Sequence, residues 1–394
     1  MTGTYYSPKD IFAKRGGPLP RALVAPQRYI QGPGVINHIG HYLSLLKVRR
    51  VGVLASRRGL GSQGLQVADS LQAAHMIAIN SQFNGECTNE EIERHVTLLS
   101  DQKIDCLIAL GGGKVVDAGK SIAFRLDIPV VIIPTLASND APCSALSVIY
   151  MANGKKDRVE YFPQNPAFVV VDTDIVANAG ERYLVAGMGD AMATWYEAKV
   201  CYNNPSASNC LGARPTLAAC AIGEVCAKTL YAHGEAAAES VRQKQNGDAV
   251  EAIVEANTLL SGIGFESGGL ALAHPLALAY TLIPVVNDNY LHGEMVAMGT
   301  LAQLVLDDSE DALRVAQFFA RVGLPIHLGQ LSLSAQHGEA LDTLIEATLA
   351  NPISHHMPLS VNHDSLRDAI IRAHDLGLGV SRTIGDDAYR RLQG

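Results

Sequence analysis

Charge is the first thing this sequence is short of. Aspartate, glutamate, lysine and arginine make up 18% of its 394 residues, against roughly 25% in an ordinary soluble domain. Apolar residues make up 48%, which excludes disorder, since that needs low hydrophobicity and high net charge. A basic excess is also missing: 31 Lys and Arg against 39 Asp and Glu leave a formal charge of −8. Broad nucleic-acid binding rests on clustered basic residues, so no nucleic-acid partner is expected. Long apolar runs are absent too. The most apolar stretch, residues 270–286, is interrupted by His274 and Pro284, and a spanning helix needs ~20 uninterrupted apolar residues. Residues 1–25 mix Lys9, Asp10, Lys14 and Arg15 with glycine and proline around no apolar centre. They read as an arm or oligomer contact and not as a secretory signal. No CxxC pair occurs, and the seven cysteines are an odd, scattered set. They read as small buried hydrophobes of a reduced, cytoplasmic protein.

What is present divides the chain in two. Residues 51–56, 105–110 and 129–134 are short apolar runs that read as strands, with a further apolar run at 76–79. Between them lie helical patterns at 62–74 and 114–126, and Thr88 with Glu91 suggests a capping box opening another helix. Strands alternating with helices at this spacing indicate βαβ units and a parallel sheet. Residues 146–150 and 158–162 flank Asn153-Gly154, a hairpin signal, and 168–172 is one more strand. After about residue 178 alanine becomes dense and apolar residues recur at three and four, as at 250–260, 296–306, 313–322 and 341–349. That is a helical pattern. The expected organisation is an arm (1–25), an α/β, Rossmann-like nucleotide-binding domain (26–177) and an all-helical domain (178–394). A ligand site is expected at the carboxyl ends of the strands, in the cleft between the two domains.

Two glycine patterns compete for a phosphate. Gly59-Leu60-Gly61-Ser62-Gln63-Gly64 fits G-x-G-x-x-G, but Ser56-Arg57-Arg58 separate it from its strand and no carboxylate stands near Ile79 and Asn80. Gly111-Gly112-Gly113-Lys114 follows an apolar strand directly and opens a helix. Residues without Cβ admit a phosphate to free N–H groups and the positive end of the helix dipole. In the helical half, Asp190, His274 and His292 lie in apolar settings. One carboxylate and two imidazoles are a catalytic Zn²⁺ ligand set with one position open. Core histidines with ordinary hydrogen bonds are the alternative.

Several strings coincide with one family. Gly111-Gly112-Gly113-Lys114-Val115-Val116-Asp117 is one. The most specific runs from Ile133 through Ser138-Asn139-Asp140-Ala141-Pro142-Cys143-Ser144 to Tyr150. Further on come Gly187-Met188-Gly189-Asp190-Ala191, Trp195-Tyr196-Glu197-Ala198, Phe265-Glu266-Ser267-Gly268-Gly269-Leu270 and His292-Gly293-Glu294. The chain resembles the glycerol dehydrogenases, of the group that includes iron-type alcohol dehydrogenases and dehydroquinate synthases. The resemblance implies a dehydroquinate synthase-like fold. It also implies a homo-oligomer and hydride transfer between a polyol or related secondary alcohol and NAD, with NADP as the alternative. It assigns Gly112, Gly113, Lys114 and Asp117 to the pyrophosphate, and Thr135, Ser138, Ser144, Leu146 and Tyr150 to the cofactor lining. Ser56 falls at the adenosine ribose, Asp140 beside the substrate, and Asp190, His274 and His292 at Zn²⁺. Iron-type relatives carry a fourth ligand, a histidine, four residues after the aspartate; here Thr194 stands there, which favours zinc.

Two departures from the family pattern matter. The usual His-Asn pair after the first metal histidine is replaced by Ala277 and Leu278, which predicts an altered or more apolar substrate. At the end of the first strand, where NAD-preferring relatives place a carboxylate, the chain has Ser56-Arg57-Arg58. A 2′-phosphate is then tolerated or favoured. A dehydroquinate synthase-type lyase would need basic residues for a phosphorylated sugar acid. The segments around the three metal positions offer only Lys199. A non-catalytic nucleotide sensor is the other alternative.

Overall fold

The computed structural model describes residues 6–13, 17–152, 154–335 and 338–394. The first part of the chain is built on six parallel strands in the order β1-β8-β5-β4-β2-β3. They are β1 (Tyr29–Gly32), β2 (Arg50–Ser56), β3 (Ile77–Phe83), β4 (Cys106–Gly111), β5 (Val130–Pro134) and β8 (Phe168–Asp172). The central strands are valine-, isoleucine- and leucine-rich. Residues such as Val53, Ile108, Ile132 and Val170 are fully buried, as expected where helices cover both faces of a parallel sheet. β1 escapes sequence detection because its four residues, Tyr-Ile-Gln-Gly, show no alternation and are only half-buried.

Crossover helices include α1 (Gln63–Ala73), α2 (Asn89–Asp101) and α3 (Gly113–Leu126). At α2 only half of the expected capping box forms. Thr88 accepts from the Glu91 N–H at 3.2 Å, but the Glu91 carboxylate turns to the Asn84 N–H and to Arg94. β6 (Leu146–Tyr150) and β7 (Lys156–Tyr161) form the expected antiparallel hairpin; Asn153 of its turn lies outside the described residues, as do residues 1–5 and 14–16 of the N-terminal stretch.

The second part is helical. It contains α4 (Glu181–Asn203), α5 (Leu217–Arg242), α6 (Asp248–Glu255), α7 (Ser261–Gly268), α8 (Ala273–Tyr280) and α9 (His292–Leu306). α10 (Ala312–Val322), α11 (Gly338–Ala350) and α12 (His363–Ile384) follow. The periodic run at 250–260 is interrupted by one π turn, Ala256–Leu260, where the Asn257 side chain donates to the Leu184 carbonyl at 3.0 Å. By internal contacts the chain separates into one unit holding Val24–Ala179 and another holding Gly180–Gly394. Part of the N-terminal stretch belongs with the helical unit: Arg21 pairs in parallel with Arg214 and donates to the Pro215 carbonyl. No helix among the described residues is long and apolar enough to cross a membrane, and all seven cysteines are free thiols.

Candidate functional site

The helical unit brings Asp190, His274 and His292 together. Asp190 lies inside α4, His274 in the first turn of α8, and His292 opens α9. The Nε2 atoms of both histidines are 3.3 Å from Asp190 Oδ1, and the three donor atoms lie within 4.8 Å of one another. The imidazole rings are inclined at 51° with centroids 5.7 Å apart. Asp190 is 1% exposed, whereas the His292 side chain is 47% exposed, so the cluster has a buried wall and an open one.

Glycines explain how the helices come so close. A Cβ on Gly293 would collide with the Ala186 carbonyl of α4, and one on Gly189 would collide with the Gly293 carbonyl of α9. The two backbones meet directly, each beside a member of the cluster. Gly299 plays the same part against Ala273, next to His274. The N-terminus of α9 is fixed by Glu294, whose carboxylate accepts from the Leu291 N–H at 2.7 Å and from Arg182 at 2.8 Å.

Sequence reading missed Glu197. It is fully buried, and its Oε2 lies 2.5 Å from His274 Nδ1. Its other oxygen accepts the N–H groups of Ala271 and His274 at 2.9 and 3.1 Å. The carboxylate therefore sets the turn into α8 and orients the imidazole, with Nδ1–H donating and Nε2 turned to Asp190. The available signal was its spacing: two helical turns beyond Asp190, on the same face of α4. Gln303 supports the same turn by accepting from the Leu272 and Ala273 N–H groups.

The electrostatics suit a cation. Burial opposes ionisation of Asp190, but the His292 and His274 imidazoles hold its carboxyl well below the usual range. Burial likewise opposes a charge on His274, yet Glu197, then Asp190, raise its pKa well above that of an ordinary histidine. Two carboxylates thus favour a positive charge on His274; a metal ion can replace the proton on its Nε2 while Nδ1–H stays on Glu197. Donors placed tetrahedrally around an ion at ~2.0–2.1 Å stand about 3.3–3.4 Å apart, close to the two observed Asp190–His separations. The residues present therefore offer three convergent donors that fit a cation. Thr194 is not directed into the cluster; its hydroxyl pairs with Ser261 at 2.8 Å. Ala277 and Leu278, three and four residues after His274, share its helix face; Ala277 is fully buried.

In the sheet unit, Gly112 and Gly113 open α3, which no side chain caps. A Cβ on Gly112 would stand 3.2 Å from Leu136, and one on Gly113 3.1 Å from Asn139, so the segment after β5 covers the glycine turn. Thr135 donates its N–H to the Gly111 carbonyl at 3.0 Å. Ser138 is half-buried and Asp140 is 8% exposed. Lys114 is exposed and pairs with Glu86 at 2.6 Å. Three of the residues expected at the cofactor also face one that sequence reading passed over, the buried Lys120. Asp117 faces Lys120 at 3.2 Å and accepts the Val148 N–H. The Ser144 hydroxyl and the Leu146 carbonyl also face this ammonium. The Asp117 carboxylate is thus turned inward, tying α3 to the segment before and within β6. Burial raises the Tyr150 phenol, helped by nearby Asp117 and Glu86, so Tyr150 stands beside the same groups. Ser56 caps a short helix, Arg57–Leu60, by accepting from the Gly59 N–H. The G-x-G-x-x-G stretch is consumed by that helix and the start of α1, so it is not a bare turn between strand and helix.

Ser81, His95 and Glu91 also form a line, with Ser81 Oγ 2.6 Å from His95 Nδ1 and His95 Nε2 3.0 Å from Glu91. Ser81 and His95 are at most 1% exposed, so the hydroxyl meets no substrate and the line is a core polar network.

Comparison with known proteins identifies the family of the chain. The profile of the family described as "Iron-containing alcohol dehydrogenase" matches residues 26–173. A glycerol dehydrogenase of Escherichia coli is 41% identical over 360 residues, covering 91% of this chain and 97% of the relative. One from Thermotoga maritima is 42% identical, covering 90% and 97%. The crystal structure of glycerol dehydrogenase from Schizosaccharomyces pombe superposes with a TM-score of 0.88 at 33% identity, covering 93% of each chain. With its parallel-sheet unit, its helical unit and similarity along almost its whole length, the chain belongs to the iron-containing alcohol dehydrogenase family and, within it, groups with the glycerol dehydrogenases.

Proposed function

We propose that this protein is a Zn²⁺-dependent dehydrogenase that interconverts a small polyol, or a related secondary alcohol, and its ketone with a nicotinamide dinucleotide. Family membership supports the alcohol/polyol oxidoreductase class. The observation that carries the finer reading is the Asp190–His274–His292 cluster with its two 3.3 Å separations. When bound, Zn²⁺ would supply a Lewis acid toward the alcohol oxygen, and the dinucleotide a hydride acceptor.

The chain's own residues do the positioning. Asp190 gives a buried, ionised carboxylate. Glu197 holds the His274 ring through its Nδ1–H, so that Nε2 is aimed at the cation. His292, on the open side, completes the ligand set. Gly112, Gly113 and Lys114, at the start of α3, take the pyrophosphate through backbone N–H groups and one ammonium. Thr135, Ser138 and Tyr150 line the cofactor, and Asp140 is the candidate to hold a substrate hydroxyl. Ser144 and Leu146 belong to the same lining and Asp117 stands near the pyrophosphate, all three held in place by Lys120. Ala277 and Leu278 leave the His274 face apolar, which favours a diol or hydroxy compound less polar than glycerol. The resemblance further points to a cytoplasmic homo-oligomer.

A panel of diols, amino alcohols and hydroxy acids, run with each dinucleotide with and without chelator, tests the reading. Turnover should require a dinucleotide, vanish with chelator and return with Zn²⁺. Full activity in metal-free protein overturns the metal assignment, and glycerol as the best substrate overturns the substrate shift.

A further inference from the structure

The order of the strands marks one crevice. From β2 the chain moves to β3 on one side; from β4 it moves to β5 on the other. The gap beyond the carboxyl ends of β2 and β4 is therefore the point where the winding reverses, the usual ligand crevice of an open parallel sheet. The residues leaving β4 are the glycine turn. The residues leaving β2 are Ser56, Arg57 and Arg58. Leu54 is in register with Ala109, and two residues further along each strand sets Ser56 beside Gly111, one strand spacing of ~4.8 Å away. In this geometry the pyrophosphate lies at the glycine turn and the adenosine ribose at the end of the neighbouring strand.

A preference for NAD at that position depends on a carboxylate that accepts from the ribose 2′-hydroxyl and repels a 2′-phosphate. None stands at the end of β2. The Ser56 hydroxyl already accepts from the Gly59 N–H at 3.1 Å. The carboxylates between β3 and the end of the first turn of α2 are Glu86, paired with Lys114, Glu91, paired with Arg94, and exposed Glu90. Arg57 and Arg58 are exposed and enter no ion pair among the described residues. Guanidinium groups bind phosphate through paired, charge-assisted hydrogen bonds.

We infer that Arg57, supported by Arg58, forms a subsite for the 2′-phosphate of NADP(H), so that this enzyme prefers NADP to NAD. The inference rests on the dinucleotide reading of the glycine turn above. Direct binding tests it without turnover, by titrating NADPH and NADH fluorescence. Adenosine 2′,5′-bisphosphate and 5′-AMP, which differ only in the 2′-phosphate, serve as competing probes. NADPH should bind more tightly than NADH, and the bisphosphate more tightly than 5′-AMP. Arg57→Ala should weaken the 2′-phosphorylated ligand of each pair on the order of tenfold, as expected for one charge-assisted hydrogen bond, and leave the other ligand unchanged. Ser56→Asp should reverse the preference. Tighter NADH binding in the parent enzyme, or no response to Arg57→Ala, overturns the subsite while leaving the glycine turn intact. Failure of both dinucleotides to bind overturns the glycine-turn reading itself.

Discussion

Glu197 shows how much one side chain can decide. Its carboxylate is fully buried, and all three donors around it belong to the segment that carries His274. A histidine that ligates a metal gains basicity and a fixed tautomer when its other nitrogen donates to a carboxylate. Glu197→Gln keeps an acceptor oxygen for the backbone and removes the charge. Zn²⁺ affinity, read by competition with a chromogenic chelator, should fall by about 10- to 100-fold, with folding retained. Unchanged affinity would reduce Glu197 to a scaffold residue. At the same scale, the sequence strings singled out Asp190, His274 and His292 as candidate ligands, but not Glu197, which holds the His274 ring. A ligand triplet has a chemical signature, whereas an orienting glutamate looks like any other glutamate in a helix.

At the scale of elements, the decisive contact is between α4 and α9. Their glycines allow backbone-to-backbone approach beside Asp190 and His292. Gly293→Ala forces the helices apart, and overpacking of this kind costs about 1–3 kcal/mol. Thermal unfolding should show that loss together with weakened Zn²⁺ binding. Gly379→Ala is the matched control: it lies on an exposed part of α12 where a Cβ meets nothing within 4 Å. Helix propensity should make it neutral or stabilising by about 0.5–1 kcal/mol. Loss of stability without loss of metal binding in Gly293→Ala would separate packing from site assembly. The helices themselves were legible, since three-and-four periodicity is local. Which helices touch was not, because a glycine gives no direction in a sequence. The short strand β1 and the partial cap at Thr88 were misjudged for a related reason: both depend on partners distant in sequence or on a side chain with two competing donors.

For the whole molecule, the proposed cation would tie a local site to global stability. Asp190, His274 and His292 come from three separate helices, so binding favours only the folded arrangement. Zn²⁺ at 100 times its Kd should stabilise the folded state by about 2.7 kcal/mol. Hydrogen exchange should locate that protection in Gly180–Gly394 and leave the parallel sheet unchanged. Protection confined to the sheet unit would place the ion elsewhere. Adding NADP(H) should produce the complementary pattern, with protection around β2, β4 and the start of α3.

The sequence by itself determined the class of each half, the glycine turn after β4, the three candidate ligand residues and the family resemblance. These are carried by short-range periodicity, by residue chemistry and by contiguous strings. Only the tertiary structure decided that Glu197 grips His274, that Lys120 gathers Asp117, Ser144 and Leu146, and that Ser56 stands beside Gly111. Each of these follows from strand register or helix contact. Register and contact are fixed by packing across long stretches of chain, where no local pattern records the partner.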